Sequence, residues 1–171
     1  MAELRAWMLA QLLWDPARDE RKLMEEFCAG YYGPAGPHVL AYLDGIHDAV
    51  AAAGDKLGCY SPPTAKFLSF ETLRAGWGHL EAAEAAVADD PDRLQRVRVA
   101  QLPVMYVFLL RWDELRARAA AGGADWPMDD AVRAVRDRFV AVAERARITR
   151  LNEWAAGFGP VEKAVARTKR R

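Results

Sequence analysis

Several chemistries have no footing in this sequence. It contains no phosphate-binding loop, no dinucleotide fingerprint and no Cys-x-x-Cys pair, so the short motifs that announce nucleotide handling or a thiolate metal site are missing. Cysteine is limited to Cys28 and Cys59, too few for a disulfide framework. Cys28 falls in a helical pattern and Cys59 in a loop, which reads as a buried thiol and an incidental one. Spacing alone neither pairs them nor keeps them apart. No apolar run approaches the roughly 18 residues of a membrane span. The first 14 residues are apolar but broken by Glu3, Arg5 and Gln11, without the basic start and small-residue cleavage site of a signal peptide. If Met1 is the genuine start, that reading is cytoplasmic; for a fragment it says nothing about export of the parent. Neither charge sign prevails: Lys+Arg and Asp+Glu are both 24, so no global field draws the chain to nucleic acid or an anionic membrane. Basic residues do gather at Lys163, Arg167, Lys169, Arg170 and Arg171. A chain end of that kind is expected to be solvated and frayed, which makes 161–171 a flexible basic tail.

What the sequence does carry is core material. Of 171 residues 52% are apolar, with six Trp, five Tyr and six Phe, which suits one domain with a real interior and excludes a disordered chain. The patterning is helical throughout, with no convincing strand. A first helix covers roughly Ala2–Trp14, with Leu4, Met8, Leu12 and Trp7 toward one face. Pro16 stops it and pushes Asp15 out of helical dihedrals. Asp19 caps a second helix near Glu20–Ala29, whose inward positions are Leu23, Met24, Phe27 and Tyr31; Gly30 and Gly33-Pro34 close it. A third begins around Pro37, with Val39, Leu43, Ile46 and Val50 in a stripe, and ends at Gly54.

Asp55–Lys66 is the longest irregular stretch, made extended by Tyr60-Ser61-Pro62-Pro63. Ser69 caps a fourth helix whose stripe is Phe70, Leu73, Trp77, Leu80, Glu84 and Val87, with Glu84 the one polar member. Gly76 and Gly78, beside Trp77, predict close approach of a neighbouring helix, since glycine otherwise costs about 1 kcal/mol there. Asp89-Asp90-Pro91-Asp92 opens a fifth helix, expected to run to Ala121 with Leu94, Val97, Gln101, Met105, Leu109 and Trp112 inward and a kink or break at Pro103. The nearly all-round apolar run Val104–Leu110 makes it central. A sixth helix is expected near Asp129–Ala146, with Val132, Val135, Phe139 and Val142 inward, and a last short element with Leu151, Trp154 and Phe158. Short loops between helices favour an all-α antiparallel bundle of six or seven helices over 1–160, and no repeat of solenoid length appears.

No complete catalytic set emerges. Glu25 and Glu26 are adjacent, so on a helix they point about 100° apart and read as a solvated face. Asp44 and Asp48 share a face with His47 nearby, an arrangement that could suit a metal or general base, yet the Glu-x-x-His pairs of di-metal bundles are missing and an exposed polar face is the commoner case. His38 and His79 read as structural or exposed, and no Ser/Cys–His arrangement has diagnostic context. The aromatics beside chain breaks offer more. Trp14, Tyr31, Tyr32 and Tyr60 flank turns, where flat rings can stack on the apolar faces of sugars and hydroxyls can bond to them. The competing reading is packing that locks those turns, with Trp14 stapling the first helix junction. Trp77, Trp112 and Trp154 lie on helical stripes and read as core.

Leu13-Trp14-Asp15-Pro16, Asp19, Phe27, Tyr31-Tyr32-Gly33-Pro34-Ala35 and Tyr42-Leu43, in that order, resemble the bacterial family DUF4838. The likeness continues more loosely through Tyr60-Ser61-Pro62-Pro63, Ala88-Asp89-Asp90-Pro91 and Leu102-Pro103-Val104-Met105-Tyr106. A more distant likeness, through Trp14-Asp15-Pro16, is to the helices that follow the barrel in α-glucuronidases and β-N-acetylglucosaminidases. The resemblance implies a helical C-terminal region that accompanies a glycoside-hydrolase-like barrel, with residues 1–14 the barrel's last helix or a lead from it. Glycoside hydrolysis needs two carboxyl groups, about 5–5.5 Å apart for retention or roughly 6.5–9.5 Å for inversion. In those families the carboxylates lie on the barrel, and no position here matches them.

The chain is therefore expected to be an excised, non-catalytic C-terminal domain that buttresses a barrel, contacts a partner subunit or lends a wall to a carbohydrate cleft. The rival expectation is an autonomous helix-bundle interaction module without enzymatic activity. Expected partners are the missing barrel or a partner subunit, carbohydrate, and a second copy of the chain. No metal or cofactor is expected.

Overall fold

Helix caps written into the sequence set the frame. In the computed structural model, which describes residues 1–54, 57–58, 61–151 and 157–168, three predicted caps are in place. The side chain of Asp19 accepts from Lys22 N–H, that of Ser69 from Thr72 N–H and that of Asp90 from Arg93 N–H. Each satisfies one of the donors that a helix start leaves unpaired. The helices are α1 (Ala2–Trp14), α2 (Glu20–Tyr32), α3 (Gly36–Ala53), α4 (Phe70–Ala86), α5 (Pro91–Leu110), α6 (Trp112–Ala121), α7 (Val132–Arg145) and α8 (Gly159–Thr168), with a 3-10 turn at Gly33–Ala35. Among the described residues the only β-type pairing is an isolated bridge between Arg150 and Gly157. The domain is an all-α bundle.

Helix α5 runs through its middle. From Val97 to Leu109 it buries residues on nearly every side, including Phe108, Met105 and Gln101, as the all-round apolar run predicted. It packs against α4, α7, α8 and α2. The α2–α3 and α3–α4 contacts close one side of the bundle, and two glycines allow it. A Cβ on Gly36 would stand 2.6 Å from the Cys28 carbonyl oxygen, and one on Gly76 would stand 3.0 Å from the Tyr42 ring. The expected close approach at Gly76 is therefore real. Gly78 has open space around it, because it projects from the exposed side of α4.

Other expectations are corrected. Pro103 neither ends nor divides the fifth helix, which passes through it and stops at Arg111. The proline lies on an exposed side, so its missing N–H is not forced into the interior. Trp112, assigned to the same helix, opens α6 and is buried there. Gly30 does not close α2, which continues to Tyr32 and turns at Gly33. Asp129 lies outside α7; its carboxylate caps the preceding turn by accepting from Ala131 N–H at 2.7 Å.

The expected frayed tail is instead mostly helix: α8 reaches Thr168 and buries Val161 and Val165 completely or nearly so. Their four-residue spacing puts both on one face, and α5 and α7 receive them. Lys169, Arg170 and Arg171 fall outside the described residues, as do Cys59, Tyr60 and Trp154.

Candidate functional site

Helix α1 is two-sided. Leu4 is buried, and Trp7 and Met8 pack against the core. At 100° per residue Ala2, Ala6, Leu9 and Leu13 fall within roughly 60° of arc on the opposite side. All four are exposed, and no charged residue interrupts them. Leu9 is 55% exposed and Leu13 84%, and Trp14, at the end of the same helix, is 92% exposed. Trp14 therefore does not staple the helix junction. That work falls to Asp15, whose side chain accepts from Ala17 N–H at 3.1 Å, and to Arg18, which reaches back to Gln11 and forward to Glu26.

The other aromatic candidates sit elsewhere. Tyr32 is buried, and its hydroxyl donates to the Met1 sulfur at 3.3 Å. Burial pushes that hydroxyl's pKa up. Tyr31 is half-buried. Phe27 stacks on it at 4.9 Å, the Arg96 guanidinium lies 4.5 Å from its centroid, and Arg96 also donates to its carbonyl at 2.7 Å. With both neighbours in place, little of the Tyr31 ring face is open to a sugar. Tyr32 contacts the beginning of α1 and Trp14 ends it, so the helix length alone separates them by roughly 20 Å. The structure thus does not gather Trp14, Tyr31 and Tyr32 into one site, and Tyr60 lies outside the described residues.

Of the carboxylate and histidine candidates, Glu25 and Asp44 meet on the Arg21 guanidinium, which occupies both. Glu25 pairs with Arg21 at 2.8 Å and Glu26 with Arg18 at 2.8 Å. Asp44 pairs with Arg21, while His47 and Asp48 are exposed. Among the described residues no group of three or more His, Cys, Asp or Glu side chains could hold a metal ion, and no helix is long and apolar enough to cross a membrane.

One polar cluster escaped the sequence reading. Glu84 on α4 accepts from Arg98 Nε at 2.8 Å, from Gln101 Nε2 at 2.7 Å and from Arg138 at 2.6 Å. Gln101, fully buried, also donates to the Leu80 carbonyl at 3.3 Å and accepts from Arg138 at 2.7 Å. Burial alone would raise the Glu84 pKa, but the hydrogen bonds from Gln101 and Arg98 and the Arg138 charge outweigh it and hold it below the usual carboxylate range. Every group in this cluster has a partner within it. It ties α4, α5 and α7 together and leaves no carboxyl free to act as an acid or base.

The exposed apolar face and the aromatic knot of Phe27, Tyr31 and Tyr32 both lie in the first 44 residues. Residues 1–44 match DUF4838, a domain of unknown function. No curated protein and no solved structure matches the chain. The DUF4838 match spans the tighter part of the resemblance, from α1 to Asp44 in α3. The looser likeness beyond residue 44 lies outside it.

Proposed function

We propose that this chain is a non-catalytic helical region of a glycoside-hydrolase-like, carbohydrate-active protein, and that α1 is its docking helix. In this reading the outer face of Ala2, Ala6, Leu9 and Leu13 packs on a barrel domain, and the bundle behind it braces the barrel or the edge of its substrate cleft. One observation carries the proposal: an uncharged apolar helix face stands open within the segment that matches DUF4838. Exposed apolar patches of this kind mark interaction surfaces. Trp14 is the candidate with its ring fully open, so it is the side chain we assign to carbohydrate or to the barrel rim.

The test begins with the reading frame upstream of Met1. A barrel encoded there or in a neighbouring gene is produced and mixed with the chain, and association is followed by calorimetry. Leu9→Glu and Leu13→Glu should each weaken it at least tenfold while leaving the helical circular dichroism intact. Unchanged affinity in both variants would sink the docking face.

A second reading has its own observation. Helix α1 contributes only Leu4 as a fully buried residue, with Trp7 and Met8 packed at the edge of the core, so most of the interior is built by α2 to α8. That favours an autonomous interaction module, with α1 as the surface a partner covers. Sedimentation separates the two readings: a defined oligomer that Leu13→Glu dissociates favours the module, and a monomer that binds the barrel favours the brace.

A further inference from the structure

A cleft of about 410 Å³ lies between α3, the start of α4, the middle of α5 and residues 61–68. Leu73, Val104 and Val107 form its buried floor, with Ile46, Pro63 and Leu68 half-buried at its sides. Three rings also line it: Tyr42 of α3, Tyr106 of α5, and Phe67. Its volume falls in the roughly 300–1,000 Å³ range of small-molecule sites, and like them it is mostly apolar with few polar groups. Among the described residues no charged side chain lines it. An ion entering it would lose its water and meet no counter-charge.

Tyr42 decides which polar feature a ligand needs. The residue is 8% exposed, yet its hydroxyl has no hydrogen-bond partner among the described residues. Burial alone acts on it and pushes its pKa up to about 12. The Tyr106 hydroxyl is likewise without a partner there, and burial alone raises its pKa. The contrast is Tyr32, whose buried hydroxyl bonds to the Met1 sulfur. A buried hydroxyl left unpaired costs free energy, and most find a partner. Ser61, the other polar residue of the lining, already bonds to both backbone groups of Gly58. The Tyr42 ring is held in place by α4, since a Cβ on Gly76 would stand 3.0 Å from it. The outer wall is fixed too. Ala65 N–H bonds to the Pro62 carbonyl and Leu68 N–H to the Ala65 carbonyl, both at 3.0 Å, and Arg111 holds the carbonyls of Pro63 and Leu68. A ligand therefore does not have to order this segment as it binds.

We propose that this cleft binds a small neutral aromatic molecule carrying an uncharged oxygen, such as an aryl ketone, with its ring among Tyr42, Phe67 and Tyr106 and its oxygen accepting from the Tyr42 hydroxyl. Rings in such company gain from offset and edge contacts beyond the area they bury. A pure hydrocarbon would leave the Tyr42 hydroxyl unpaired. A sugar would bring many hydroxyls to walls that offer them few partners.

The isotope-labelled full chain is titrated with acetophenone, cumene, benzoate and benzylammonium, each below its solubility limit, and followed by the chemical shifts of its amides. Acetophenone should bind one per chain and move the amides of Tyr42 and Leu73. The two ions should bind at least roughly tenfold more weakly. Tyr42→Phe keeps the ring and removes the hydroxyl. It should hold or raise the melting temperature, because no hydrogen bond within the fold is lost. It should also weaken acetophenone about fivefold, the scale of one neutral hydrogen bond, while leaving cumene, of similar shape but without oxygen, undiminished. Comparing the two proteins ligand by ligand cancels the different solubilities of ketone and hydrocarbon. Ile46→Trp, which fills the cleft from α3, should abolish binding; Pro62→Trp, on the exposed outer wall, does the same job if the first variant unfolds. The proposal is overturned if acetophenone leaves the Tyr42 and Leu73 amides unmoved, if either ion matches it, if Tyr42→Phe weakens both neutral ligands alike or neither, or if a folded cleft-filling variant still binds acetophenone.

Discussion

Gln101 Nε2 donates to Glu84 Oε2 at 2.7 Å, joining the buried polar side chain of α5 to the polar member of the α4 stripe. Arg138 of α7 reaches both oxygens of the pair, at 2.6 and 2.7 Å. The bundle thus carries a charged hydrogen-bond cluster at the edge of its interior, with Gln101 fully buried and the two arginines partly exposed, and its members satisfy one another, which is the condition under which buried polar groups are tolerated.

Glu84→Gln removes the charge and keeps the shape. Two arginines then face an amide, and the expected loss is about 2 kcal/mol, the scale of a charge-assisted hydrogen bond. The pH dependence has a definite sign. The folded pKa of Glu84 lies below the ordinary carboxylate value, so its contribution is complete above that value and is lost as pH falls through the folded one. Urea unfolding between pH 7 and pH 3 should show a steeper acid loss for the wild type than for Glu84→Gln. Parallel curves would mean that the cluster contributes nothing to acid sensitivity.

Gly30 and Gly36 sit six residues apart and should respond in opposite directions. Gly36→Ala forces a Cβ to within 2.6 Å of the Cys28 carbonyl oxygen, a backbone atom that cannot rotate away. The expected cost is roughly 1–3 kcal/mol. Gly30 lies inside α2 with nothing within 4 Å of its would-be Cβ, so Gly30→Ala should stabilise by up to about 1 kcal/mol. Thermal melts of the two variants decide the matter; equal shifts would refute the tight α2–α3 crossing.

The Cys28 thiol is buried and unpaired, and burial pushes its pKa up to about 11. In a Cys59→Ser background it should resist Ellman's reagent at pH 8 in the native state and react fully in 6 M guanidinium. A native rate near the denatured one would place this thiol at the surface.

Arg111 holds residues 63–68 against α6. Its guanidinium donates to the carbonyls of Pro63, at 3.1 Å, and Leu68, at 2.6 Å, and pairs with Glu114. Arg111→Ala leaves two carbonyls and a carboxylate without their donor, at an expected cost of roughly 2 kcal/mol. Limited proteolysis should cut the variant in this segment at least several-fold faster than the wild type, and an unchanged cleavage pattern argues against the strap.

The elements most legible in the sequence were those whose signal is local. Asp19, Ser69 and Asp90 announced helix starts because a cap needs only its own side chain and the next turn. The centrality of α5 was legible because an all-round apolar run has few other uses. Pro103 left a kink and a break both open, and the helix does not break there: whether a proline breaks a helix depends on which side faces outward, and that is decided by neighbours far along the chain. The frayed tail misled, since the charges of α8 outnumber the two valines that α5 and α7 bury. Tyr32 and Trp14 looked alike beside their turns, yet one meets Met1 inside and the other stands in solvent. Nothing local separates them. The Glu84–Gln101 pair did have a signal. Each is a polar exception on an otherwise apolar inward stripe, and two such exceptions on sequential helices are natural partners. The open face of α1 was legible too, in the uncharged spacing of Ala2, Ala6, Leu9 and Leu13.

Trp126 sits where the connection between α6 and α7 folds back. Its ring lies 5.0 Å from that of Trp112 at 75° and 5.3 Å from that of Phe108 at 85°, with the Arg116 guanidinium 5.2 Å away. Two indoles this close and this steeply inclined couple their electronic transitions. The molecule therefore carries a built-in optical reporter: the far-ultraviolet circular dichroism couplet from this pair, lost in Trp126→Phe, follows the closing of one loop on the core during refolding, without any label.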